Sequence, residues 1–175
     1  MVVPVVADLA TMAPEIAIIG CGNPNRCDDG VGSQVLRRLA GTLREYGQRV
    51  RLLDAGTDGM GVMFAARSCR ALIIVDACRS GAQAGAIFEV PGACLARPPR
   101  DNFTLHDFRW DHALYAGRRI FAEDFPSEVT VFLVEAERVD FGIELSSAVA
   151  CSAERVAVMI ADRVRMSCTA EEFVP

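Results

Sequence analysis

The sequence predicts a three-layer α/β/α sandwich around a mostly parallel sheet of about five strands, and three features carry that prediction. Two short apolar runs, Ile16 to Ile19 and Ala71 to Val75, are rich in branched residues and lack polar alternation, as strands covered on both faces require. Stretches with apolar residues at helical spacing stand between such runs, giving the alternation of a wound sheet. Three strand ends in succession lead into carboxylates, Asp28 with Asp29, then Asp54, then Asp76. In an open α/β sheet that edge is where ligands bind.

In chain order, Met1 to Pro14 has no strong period and reads as a loose leader before a core of about residues 15–166. Ile16 to Ile19 is the first strand, and Gly20 and Gly22 let the chain turn sharply after it. Asp28 or Asp29 is expected to cap the helix that follows, leaving the other carboxylate free to act. Val31, Val35, Leu36 and Leu39 define that helix over about Gly30 to Tyr46, with Gly47 ending it. Val50 to Leu53 is a strand, the glycine-rich Asp54 to Gly61 a loop, and Met63, Phe64 and Ala66 belong to a short helix. Ala71 to Asp76 and Gly85 to Val90 are strands, and Pro91 to Thr104, with three prolines, is an exposed loop. Thr104 or Asp107 starts a helix carrying His106, Trp110, His112 and Leu114. Trp110, Met60 and Met63 are assigned to packing. Glu128 to Val134 is a strand, Glu135 to Glu144 a loop, and Ser146 or Ser147 caps a last helix reaching about Met166. The tail from Ser167 is expected to fray.

A chain of 175 residues, 51% apolar, suits a single domain spanning 1–175. Its apolar runs fall short of the roughly 20 residues of a membrane span, and its start has no basic region, so a cytoplasmic protein without membrane contact is expected. All 18 basic residues are arginine, which excludes a phosphate loop built on lysine. Net charge is −5 and the arginines are scattered, so no nucleic-acid footprint is present. Seven cysteines without a Cys-x-x-Cys pair argue against a disulfide framework and against structural zinc.

Several chemistries follow from the residue types. No Gly-x-Ser-x-Gly elbow supports a serine nucleophile. Cys21, Cys27 and Cys78 lie near strand ends, but neighbouring carboxylates raise a thiol's pKa and work against a cysteine nucleophile. The dinucleotide fingerprint lacks its third glycine, with Asn25 there, and two aspartates would repel a pyrophosphate. Carboxylates with imidazole suit a borderline divalent ion, which makes Asp29, Asp76 and His106 a candidate set for a cation not tightly kept by this chain alone. Asp29 and Asp76 equally suit a carboxylate pair for acid–base hydrolysis. Asp54 is as well explained by bonding the amides of its own loop. On one helix His106 and His112 would point about 120° apart, so only one can face a metal. His106 is the one expected to, and His112 is expected to be buried.

The stretch Gly20-Cys-Gly-Asn-Pro-Asn-Arg-Cys-Asp-Asp-Gly-Val-Gly32 resembles the glycine-Asn and acidic signature of the [NiFe] hydrogenase maturation proteases. Leu53-Asp-Ala-Gly-Thr-Asp-Gly-Met60 is similar to their Asp-Gly-Gly-Thr loop, Ile73-Ile-Val-Asp-Ala77 to their central strand, and Thr104-Leu-His106 to their pre-helix histidine. The likeness runs in order from about Ile16 to Ile160. It implies an endopeptidase of α/β/α build that removes the C-terminal extension of a hydrogenase large-subunit precursor once nickel is inserted. A monomer is expected. Asp29, Asp76 and His106 match the nickel-contacting positions, with Gly22, Asn23, Asp28, Asp54, Gly56 and Thr57 in supporting loops. Nickel then belongs to the substrate, and no tightly bound cofactor is expected. Asp29 stands where relatives can have Glu, Ala55 replaces a glycine, and His112 is an additional histidine. Two rival readings remain: a non-catalytic chaperone that checks nickel loading, and a nucleotide-binding oxidoreductase.

Overall fold

The computed structural model describes residues 14–98 and 108–171, with β-strands β1 (Ile16–Cys21), β2 (Val50–Gly56), β3 (Ala71–Cys78), β4 (Ile87–Pro91) and β5 (Glu128–Glu135). Between and after them lie helices α1 (Val31–Thr42), α2 (Gly59–Ala66), α3 (Trp110–Ile120) and α4 (Ser147–Glu171). The strands form one sheet in the order β2-β1-β3-β5-β4, parallel except for β4, which runs antiparallel to β5 at the edge. The predicted fold class is therefore the observed one.

Successive strand residues point to opposite faces, so β1 and β3 supply two cores at once. Ile16, Ile18, Ile73 and Val75 pack with Val31, Val35 and Leu39 of α1 and Val149, Val156 and Ile160 of α4. Ala17, Ile19, Leu72 and Ile74 pack on the other face with Val62 and Met63 of α2 and Trp110, Ala113 and Leu114 of α3. Among the described residues no helix is long and apolar enough to cross a membrane. All seven cysteines are free thiols.

Several boundaries differ from the expectation. The chain leaves α1 at Thr42, not Tyr46, because Leu43 turns into the core at 4% exposure and a 3-10 stretch, Arg44–Arg49, follows. Gly47 provides the left-handed turn inside that stretch (φ 54°). The loop after β2 ends earlier than Gly61, since Asp58 caps α2 by accepting the Gly61 N–H at 2.9 Å. β4 starts at Ile87 because Gly85 is drawn into a turn, its N–H on the Glu135 carbonyl and its carbonyl on the Ser152 hydroxyl. The last helix does not fray at Ser167 but continues to Glu171, with Cys168 buried. Residues 1–13 of the expected leader lie outside the described residues, whereas Pro14 is buried and Glu15 pairs with Arg49 at 2.8 Å.

The arrangement of strands fixes where a site can form. β1 lies between β2 and β3, so the connections from its carboxyl end and from that of β3 leave on opposite sides, opening a crevice between the two ends. At those ends lie Gly22 to Asp29, just past β1, and Asp76 with Ala77, in the last residues of β3.

Candidate active site

The turn after β1 passes very close to β3. Gly22 has φ 102°, and a Cβ there would stand 1.9 Å from the Asp29 carbonyl oxygen and 3.2 Å from Asp76 Oδ1. Only glycine permits that approach. The chain then enters a 3-10 turn, Cys27–Gly30, which carries the two neighbouring aspartates to different places. Neither caps α1, contrary to expectation: the residue before that helix is Gly30, and no side chain bonds its first amides.

Asp28 is fully buried and faces the segment between β5 and α4. Its Oδ2 accepts the Glu137 and Arg138 N–H groups, both at 2.9 Å, and the Ser146 hydroxyl at 3.0 Å, while Oδ1 accepts the Ser146 N–H at 2.6 Å. It is a clamp on that segment and takes no part in the crevice. Asp29 faces the crevice, with Oδ2 accepting the Asn23 N–H at 2.8 Å. The Asn23 side chain meanwhile accepts the Asn25 N–H, which sets the turn.

Asp76, at 4% exposure, accepts the Trp110 indole N–H on Oδ2 at 2.7 Å and the Ala77 N–H on Oδ1 at 2.9 Å. Arg109 stands 3.6 Å from Oδ2. Burial raises the Asp76 carboxyl from 3.8 to about 6, with the Asp29 charge adding to it, against the lowering by the indole, the Arg109 guanidinium and the Ala77 amide. Asp29 and Asp76 together line a cleft of about 560 Å³ and, on its inner side, a pocket of about 110 Å³; Arg109 and Trp110 line both. Gly22, Gly56 and Thr57 line the smaller pocket.

Asp54 does not reach either cavity. Its Oδ2 accepts the Ser33 hydroxyl at 2.5 Å and its Oδ1 the Gly56 N–H at 3.2 Å, so it holds its own loop against α1. His106 lies outside the described residues. His112 is only 16% exposed in its side chain and lines neither cavity; the Arg109 N–H points at its Nδ1 at 3.4 Å. The helix that carries His112 starts later than the expected Thr104 or Asp107: α3 begins at Trp110, and Arg109 before it is extended. Among the described residues no group of three His, Cys, Asp or Glu is placed to hold a metal.

Two of the three thiols near strand ends, Cys21 and Cys78, are poor nucleophiles here. Burial, with the Asp76 charge beside it, pushes Cys21 well above its ordinary value. Cys78 is pushed up to about 12 by burial and by Glu135, whose Oε2 its thiol meets at 3.3 Å. Glu135 itself is held down to about 2 by the Ser80 amide and hydroxyl and the Gly81 amide, and so ties the start of the β3–β4 loop to β5.

Sequence reasoning missed Trp110 and Arg109 as partners of Asp76. The one signal available was that the chain's single tryptophan sits close behind the expected pre-helix histidine.

Residues 34–163 match the model of the hydrogenase maturation proteases. The chain belongs to that family. The matched span includes Asp76 and begins just after the turn that holds Asp29. No curated protein matches the sequence. Among solved structures, the protease is similar to the hydrogenase maturating endopeptidase HybD from E. coli, at 22% identity and TM-score 0.69, covering 87% of this chain and 93% of that one. It is similar also to the [NiFe] hydrogenase maturation protease HycI from Thermococcus kodakarensis, at 21% identity and TM-score 0.64 over 85% and 90% of the two chains. A hydrogenase 2 maturation peptidase from a Thaumarchaeota archaeon matches at 21% and 0.61, over 86% and 97%. These likenesses establish the fold, and the family match establishes the protease as a hydrogenase maturation endopeptidase.

Proposed function

We propose that this protease removes the C-terminal extension of a [NiFe] hydrogenase large subunit after nickel insertion, with Asp29, Asp76 and His106 engaging the nickel that the substrate brings. One observation carries the reading. Two carboxylates from separate elements, the turn after β1 and the end of β3, converge where a cleft of about 560 Å³ meets an inner pocket of about 110 Å³. A set of two carboxylates and one imidazole, without thiolate, suits a cation already held by the partner better than one kept tightly by this chain.

The roles divide as follows. Asp29 is oriented by the Asn23 amide and Asp76 by Trp110 and Ala77, so each presents an oxygen without needing to reorganise. Water polarised by the substrate's nickel or by one of these carboxylates is the nucleophile. With an ordinary value lifted to about 6, Asp76 also titrates where a general base works near neutrality. His106 completes the set by its place in the family motif.

The test is the mass of a purified large-subunit precursor before and after exposure to the protease, with and without nickel. Loss of the extension only from the nickel-loaded form supports the reading. An unchanged mass in the presence of nickel sinks it and favours a protein that only senses loading.

A further inference from the structure

We infer that the wide cleft takes a carboxylate-bearing segment of the polypeptide to be cut, held by Arg26, Arg79 and Arg97. The inference rests on the proteolytic reading and adds a substrate class to it. In a chain of net charge −5 this cleft is an exception, since its lining places Arg26, Arg79, Arg97 and Arg109 against only Asp29, Asp76 and Asp111. The charges are also segregated. Asp29 and Asp76 stand at the end shared with the inner pocket, and Arg109 is paired there with Asp76. Asp111 accepts the His112 N–H at 3.0 Å and lies 3.7 Å from its imidazole.

Arg26, Arg79 and Arg97 are exposed, and none has a carboxylate partner among the described residues. They come from three places: the turn after β1, the residue following β3, and the segment beyond β4. Arg26 is set in advance, with Nε donating to the Val139 carbonyl at 3.0 Å and its guanidinium 5.8 Å from the centre of the Phe141 ring. That anchoring leaves its terminal nitrogens for a ligand. Guanidinium groups pair with carboxylates through two parallel hydrogen bonds. Three of them along one groove, with the reactive carboxylates at its end, select an acidic peptide over a neutral or basic one. Side chains of Asp and Glu and the free end of a chain offer the same group.

Fluorescence anisotropy on the intact protein tests this with short labelled peptides: glutamate-rich, glutamine-rich and lysine-rich with amidated ends, and glutamine-rich with a free acid end. The glutamate peptide or the free-acid peptide should bind at least about tenfold tighter than the amidated glutamine peptide, and added salt should weaken it. A gain confined to the free-acid peptide assigns the carboxylate to the chain end, and one confined to the glutamate peptide assigns it to side chains; either supports the inference. The double variant Arg79→Gln/Arg97→Gln should lose about tenfold in that affinity, whereas Arg37→Gln/Arg155→Gln, on exposed helix faces elsewhere, should lose none. Arg79→Glu/Arg97→Glu should turn the preference toward the lysine peptide. No preference for either carboxylate peptide, or equal loss in both glutamine double variants, overturns the inference. Precursor cleavage is read separately, so failure of the peptide preference leaves the proteolytic reading standing, and absent cleavage with acidic binding does the reverse.

Discussion

Replacing Asp76 by asparagine separates what this carboxylate does for the reaction from what it does to the fold. Burial lifts its carboxyl from 3.8 to about 6 in the folded protein, whereas in the unfolded chain it returns to the ordinary value. Between the two the folded state binds the extra proton, so this group's contribution is most favourable at low pH and is lost as pH rises toward and through about 6. The whole difference corresponds to about 3 kcal/mol. About 1.4 kcal/mol of it develops between pH 5 and pH 8, equivalent to roughly 3–6 °C in Tm for a chain of this length. Asparagine does not ionise, and it can accept only one of the two N–H groups that Trp110 and Ala77 direct at different oxygens. That leaves a cost of about 1–3 kcal/mol which does not vary with pH. The readout is therefore the slope and not the offset: urea unfolding of metal-free wild type and variant at several pH values from 5 to 8. Wild-type stability relative to Asp76→Asn should fall by about 1.4 kcal/mol across that range, while the variant cleaves no precursor at any pH. Parallel stability curves, or normal cleavage by the folded variant, would refute the reasoning.

Trp110→Phe keeps the ring but deletes the donor to Asp76, so the pH at which cleavage reaches half its maximum should move upward, measured on a folded variant over pH 5 to 8. Asp28→Asn is nearly isosteric, yet at best it sets one amide donor against the Ser146 N–H. A loss of about 2–3 kcal/mol is expected, or roughly 4–12 °C in Tm, and a loss under about 2 °C would contradict the clamp. Gly22→Ala meets the Asp29 backbone at 1.9 Å with φ 102°, and should cost about 3 kcal/mol or more, read by urea unfolding. His106→Ala should abolish cleavage of nickel-loaded precursor with little change in melting, whereas His112→Ala should lower Tm and retain cleavage. The opposite pattern would move the ligand role to His112.

Strands were legible because burial on two faces leaves its mark directly in sequence, as Ile16 to Ile19 and Ala71 to Val75 show. Asp76 stood out in the sequence for the same reason: a carboxylate directly after such a run has fewer structural explanations than one in a loop. Helix ends were less so. Nothing local tells whether Tyr46 continues α1, since the decision lies with Leu43 finding a place in the core. The expected start of α3 at Thr104 or Asp107 rested on good capping residues, yet the helix begins at Trp110 behind an extended Arg109. Beyond the position of the single tryptophan, nothing local pointed to the partners of Asp76, because an indole on α3 reaches β3 only once the sheet and that helix have packed. Likewise the arginines of the cleft lie far apart in the chain and look scattered until the loops bring them together.

The 3-10 turn at Cys27–Gly30 works as an angular divider. Successive residues on such a turn differ in direction by about 120°, so two chemically identical neighbours receive unlike tasks, Asp28 inward against backbone amides and Asp29 toward the crevice. Identity is then interchangeable between these positions, but count is not. Inserting one residue ahead of Asp28 would rotate a carboxylate out of the crevice and the wrong one into it, while the chain's composition and charge hardly changed. What this turn must preserve is its length.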